Sequence, residues 1–103
     1  MFKICFFVPE DHLEKTKSAI FAVGGGRIGD YDSCAWQVKG EGQFRPLAGS
    51  QPYLGSVDQI ERVTEYRVEL VCDDGLIEGV IRAFKQAHPY EEPAYEVYRM
   101  ENY

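Results

Sequence analysis

Residues 87–97 read "AHPYEEPAYEV" and hold one histidine and two adjacent glutamates between two prolines. An imidazole with carboxylates suits zinc or another divalent ion, and a His–Glu pair can also serve as acid and base. His88, Glu91 and Glu92 therefore form the first candidate metal set, with His12 as a tentative fourth member. Tyr90 joins them as a candidate ligand contact. Neighbouring glutamates in an extended chain point to opposite sides, so only one would naturally meet His88. The same stretch also has a reading without chemistry. Pro89 disfavours helical geometry at His88 and helps to end a helix, where an imidazole suits the helix dipole. Pro93 then sets the start of a strand. On residue chemistry alone, this second reading leads.

"FRPLAGSQPYLG" (44–55) places Arg45, Ser50 and Tyr53 among glycine and proline breaks. A long ordered connection either grips a ligand or lies over a neighbouring subunit. Ser50 lacks the G-x-S-x-G context of a nucleophile elbow, so a hydrolase triad has no support. "GGGRIG" (24–29) matches the letters of a dinucleotide-binding loop. That loop must follow a strand and open a helix, whereas these glycines follow a helix; a helix C-cap is the better reading. Cys34 and Cys72 would lie at one end of a sheet, where a soft-metal or redox pair competes with plain burial, and burial leads.

The elements that must position these residues alternate. "FKICFFV" (2–8) reads as a strand with Ile4, Phe6 and Val8 on one face and Cys5 and Phe7 on the other. Asp11 to Gly24 reads as a helix with capping-box spacing at Asp11 and Glu14, and Leu13, Thr16, Ile20 and Val23 on one face. "CAWQVKGEGQFRPL" (34–47) reads as two short strands around Gly40-Glu41-Gly42. "VTEYRVELVCD" (63–73) alternates, with Tyr66, Val68, Leu70 and Cys72 inward and Glu65, Arg67 and Glu69 outward. Asp73 or Asp74 then caps a second helix with Leu76, Val80, Phe84 and Ala87 on one face, and Ala94 to Met100 is the last strand.

The order is β-α-β-β-α-β, which predicts one α+β domain over 1–103: a ferredoxin-like sandwich with a hairpin elaboration after β2. Right-handed crossovers put both helices on one face of the sheet. The other face then meets solvent or another subunit, and Phe7 and Cys5 favour a subunit. The start of the first helix (Pro9 to His12) and the end of the second (His88 to Pro93) fall at one edge, and the glycine loop, Cys34 and Cys72 at the other.

The formal charge is −6, from 17 acidic and 11 basic residues, with no Lys/Arg run to track phosphates, so nucleic acid is not an expected partner. The N-terminal apolar run is too short for a signal peptide or a membrane span, and no other stretch reaches membrane length. Three cysteines without a CxxC pair predict reduced thiols in the cytoplasm.

Taken together, "GGGRIGDYDSCAW", "GEGQFRPLAGSQPYLG", "VTEYRVELVC" and "AHPYEEPAYEV" resemble the insert domain of YqfO-type proteins in the Nif-three-like family, over essentially the whole chain and in the same order. The resemblance implies a PII- and CutA-like fold that tends to form trimers, here as a free-standing copy. Full-length relatives carry a dinuclear metal centre in two flanking domains, built from several His with Asp and Glu. This chain has 2 His, so that hydrolase-like role does not transfer. Ala87 stands where the family pattern has Gly, which lets the second helix run up to His88. The expected function is a small oligomeric binding or regulatory module with a metal ion or small ligand at a subunit edge. The alternatives are a small metal-dependent or acid–base enzyme and a purely structural assembly domain. Any cofactor is unidentified, with a divalent metal ion the candidate that the His–Glu set suggests.

Overall fold

Eight residues rich in β-formers build strand β1, Phe2–Pro9, at the centre of the sheet; the computed structural model describes residues 1–103. Helix α1 (Leu13–Ala22), strands β2 (Trp36–Phe44) and β3 (Glu61–Cys72), helix α2 (Ile77–Ala87) and strand β4 (Tyr95–Arg99) follow. The sheet order is β2-β3-β1-β4 with every pair antiparallel. This is the expected ferredoxin-like sandwich.

Register fixes the core. Phe6 stands opposite Val68 on one side and Tyr95 on the other, so the even-numbered positions of β1 share a face with them. Ile4, Phe6, Val8, Val68, Leu70 and Cys72 are buried there, closed over by Leu13 and Ile20 from α1 and by Val80 and Phe84 from α2. Val23 and Leu76, expected on these helix faces, are exposed, because α1 ends at Ala22 and α2 begins at Ile77.

Three local expectations are corrected. The stretch 34–47 is not two short strands. Gly40, Glu41 and Gly42 pair with Glu65, Thr64 and Val63 within one continuous strand. Gly42 is small for a reason unrelated to turning: a Cβ there would overlap the Glu65 carboxylate. Consequently no extra hairpin follows β2; residues 45–60 form an irregular connection closed at its base by the Asp58 N–H donating to the Pro46 carbonyl, 2.7 Å. The acidic caps are also absent. A tight turn at Glu10–His12 precedes α1 and another at Asp74–Leu76 precedes α2, so Asp11 and Asp73 lie outside the helices and make no cap bond. Asp74 instead pairs with the N-terminal amine and Arg99.

The helix-free face differs from expectation in where its apolar surface lies. Cys5 is only 2% exposed, with the Arg67 side chain against its thiol. The open apolar side chains on that face are Trp36, 58% exposed, with Val38 beside it on β2 and Tyr98 on β4.

Candidate functional site

Pro89 ends α2 as predicted, and its consequence is geometric. His88 leaves the helix in extended conformation while its N–H still reaches the Phe84 carbonyl at 2.9 Å. The ring is thereby turned inward, 5% exposed, between Phe84 and Tyr90 at centroid distances of 5.4 and 4.9 Å. Nδ1 accepts the Tyr90 N–H at 3.1 Å, which leaves the proton on Nε2 to donate to the Phe7 carbonyl at 2.6 Å. Burial holds the imidazole below its ordinary pKa, partly opposed by the bond to Phe7.

Both ring nitrogens are thus occupied by backbone, so neither is presented to a ligand in this conformation. No group of three or more His, Cys, Asp or Glu side chains converges to hold an ion. The structure does not assemble the tentative set of His88, Glu91, Glu92 and His12. His12 lies 3.2 Å from the Asp11 carboxylate and meets the edge of Tyr53 at 5.7 Å. Glu91 accepts the Gln51 N–H at 3.1 Å, which ties the 45–60 connection to the segment after α2.

That tie closes a cleft of about 420 Å³. One wall is aromatic, with Tyr90 set 5.9 Å from Phe44 and 6.2 Å from Tyr53 between ring centroids, and Phe7 beside them. The connection supplies the other wall. Its Ser50 is spoken for as a donor, since Oγ–H donates to the Leu47 carbonyl at 2.7 Å. The turn at Gly49 uses a left-handed backbone (φ +95°) that a side chain would strain. Arg45, Ser50, Tyr53, Tyr90, Glu91 and Glu92 all line this one cleft. His88 does not line it; it lies behind, fixing the Tyr90 backbone.

Among the lining residues that the sequence did not single out are Phe44 and Glu65. Glu65 was placed among outward residues, and it is half-buried because the missing side chain of Gly42 gives it room. A glycine diagonal to a glutamate across a strand pair, Gly42 opposite Val63 and so two positions from Glu65, was the signal, readable only once the register was known. The buried Tyr90 hydroxyl faces the Glu65 carboxylate without completing a hydrogen bond of good geometry. Its pKa is raised, first by burial and then by the negative charge of Glu65. Tyr53 is raised by partial desolvation and by Asp11, whose carboxylate is 3.4 Å from its hydroxyl.

The far end of the sheet carries the glycine loop. The Gly24 N–H donates to the Phe21 carbonyl with φ +97° at Gly24, the predicted helix C-cap. The Cys34 and Cys72 thiols each donate to a nearby backbone carbonyl, and all three cysteines are free. No helix is long and apolar enough to cross a membrane.

No family model matches the chain. A GTP cyclohydrolase 1 type 2 homologue of Mycobacterium leprae is 44% identical over 98 residues, 95% of this chain and 26% of the relative. A Bacillus cereus protein related to NIF3 superposes with TM-score 0.83 at 40% identity, covering 98% of this chain and 26% of that one. The chain is a homologue of one segment of the NIF3-related proteins. It spans about a quarter of their length. CutA1 from Pyrococcus horikoshii shares the fold over 100% of the chain at TM-score 0.71 and 17% identity. The PII-like protein CutA of Nostoc sp. PCC 7120 does so at 0.65 and 16%. At such identities the likeness is one of fold, and it agrees with the PII/CutA-like architecture expected from sequence.

Proposed function

We propose that the protein is a small-ligand-binding module of regulatory type, with its site in the cleft between the aromatic wall at Tyr90 and the 45–60 connection. The observation that carries this reading is the convergence of Arg45, Ser50, Tyr53, Tyr90, Glu91 and Glu92 on one cleft. Its volume falls within the range of about 300–1,000 Å³ usual for small-molecule sites, and its lining mixes aromatic surface with a few polar groups. A divalent ion is the weaker occupant, because of the tentative metal set only Glu91 and Glu92 face the cleft. An acid–base enzyme built on His88 lacks support from the geometry, since the imidazole is turned away and both its nitrogens are bonded. The activity named for the longer relatives belongs to proteins about four times this length, and nothing in this cleft carries it over.

The module works as a homo-oligomer in the cytoplasm in this reading, with trimer as the preferred state. Trp36, Val38 and Tyr98 on the helix-free face favour self-association, because such side chains are costly to leave in water. Its free thiols suit a reducing compartment.

Amide chemical-shift mapping with a library of small polar compounds tests the site. Shifts confined to Gln51, Tyr90 and Glu91 support it, and binders that map to the glycine loop or to Trp36 and Tyr98 instead overturn it. Light scattering tests assembly separately: a trimer mass that falls to monomer in Trp36→Glu supports it, and a monomeric native protein removes it.

A further inference from the structure

We propose that this cleft selects a compact organic monocation, an ammonium or guanidinium compound, over anions, neutral molecules and metal ions. The proposal rests on the cleft being the ligand site and goes on to its chemistry.

The aromatic wall is the first reason. The Tyr90 ring is tilted 56° to Phe44 and 45° to Tyr53, and all three rings line the cleft. Ring faces carry negative electrostatic potential and attract cations, more strongly where water is excluded. Charge is the second reason. Glu65, Glu91 and Glu92 line the cleft against one cation, Arg45, and none of these four side chains is in an ion pair. Asp11, at the Tyr53 hydroxyl, adds to the negative field from behind.

Glu65 matters most among the carboxylates. It is half-buried against the wall, in the space left by Gly42, with no basic partner. A half-buried carboxylate with only the Tyr90 hydroxyl beside it and no cation keeps its charge uncompensated, and a bound cation compensates it. The same geometry argues against the competitors. A hard metal ion needs several oxygen ligands in one place, and no such group converges. A phosphate would meet three carboxylates and one arginine, with the glycine-rich loop at the opposite end of the sheet. A cation therefore has complementary charge, an aromatic face and room.

The test uses choline, neohexyl alcohol as its uncharged carbon isostere, guanidinium, GTP and calcium, each titrated into the full chain with amide shifts as readout. Choline and guanidinium are expected to shift Gln51, Tyr90 and Glu91, with choline about tenfold tighter than the alcohol. The Glu65→Gln variant is expected to lower choline affinity about tenfold and leave the alcohol unchanged. Equal binding of choline and the alcohol, or tighter binding of GTP or calcium in the cleft, overturns the charge selection and leaves the cleft standing as a site. No shift at the cleft with any of these probes, or with the wider library, overturns both. Amide dispersion and the urea midpoint of Glu65→Gln show that it folds, and the wild-type probe comparison stands without it.

Discussion

The Nε2–H of His88 donates to the carbonyl of Phe7 across 2.6 Å, joining the end of α2 to the central strand 81 residues away in sequence. The other nitrogen receives the Tyr90 N–H, so one ring bridges β1 and the segment that forms the cleft wall. Residues expected to do chemistry thus divide into two jobs. His88 shapes the wall, and Tyr90, Glu91 and Glu92 face what it encloses.

Replacing His88 by Leu keeps bulk while leaving the Phe7 carbonyl and the Tyr90 N–H without partners in a buried place. Each unmade bond of this kind costs about 1–3 kcal/mol, so a loss of roughly 2–6 kcal/mol is expected. For a chain of this size that lowers Tm by about 10 °C or more. Urea and thermal unfolding of His88→Leu measure it. An unchanged midpoint would show that the bridge carries no stability.

Acidification should weaken the same bridge. The folded-state pKa of His88 lies below its ordinary 6.5 because burial disfavours the charged ring. The unfolded chain therefore binds the proton more readily, and stability rises with pH across this range. The contribution is fully present above 6.5 and is lost as pH falls through the folded-state value. Urea midpoints followed downward from about pH 7.5 should decline first in this window, and His88→Leu should flatten that part of the profile. A wild-type profile that is flat there would contradict a buried neutral imidazole.

The fold was legible because its signals are local and periodic. Alternation in 2–8 and 63–73 named the buried positions Ile4, Phe6, Val8, Val68, Leu70 and Cys72 directly. Pro89 marked the end of α2, and the glycines after α1 marked its cap. What failed was information held by a partner strand or a distant carbonyl. Gly40 and Gly42 look like a turn in one dimension, and only the register opposite Glu65 and Val63 explains them as strand residues. His88 has the residue type of a ligand, and only the Phe7 carbonyl, reached through the tertiary fold, reveals its bonding. The cleft residues were half legible: the connection and the HPYEEP segment each stood out, but their meeting depends on the Gln51–Glu91 bond.

The glycine loop offers a contrast within one motif. A Cβ on Gly26 would sit 2.8 Å from the Cys34 carbonyl oxygen and from the Phe21 ring, at φ +76°. Gly29 also has a left-handed backbone, φ +56°, but nothing lies within 4 Å of its added Cβ. Gly26→Ala should therefore cost about 2–4 kcal/mol from strain plus overlap, and Gly29→Ala about 1 kcal/mol from strain alone. Neither should shift cleft amides. Equal losses in urea unfolding would mean that packing against Phe21 and Cys34 is not what demands glycine at 26.

Gly42→Ala tests the link between backbone and site most directly. The new methyl group would overlap the Glu65 carboxylate, which is the far end of a flexible side chain and can rotate away. Alanine also loses less entropy on folding than glycine, so the net change in stability should stay within about 1 kcal/mol. The cleft, however, loses its half-buried negative charge, and choline affinity should fall by about as much as in Glu65→Gln. In a Glu65→Ala background the methyl meets no carboxylate, so Gly42→Ala should then leave choline binding unchanged. That non-additivity is the signature of two residues acting through one contact. A large stability loss in the single variant, or choline binding as tight as in the wild type, would show that Gly42 does not set the place of Glu65.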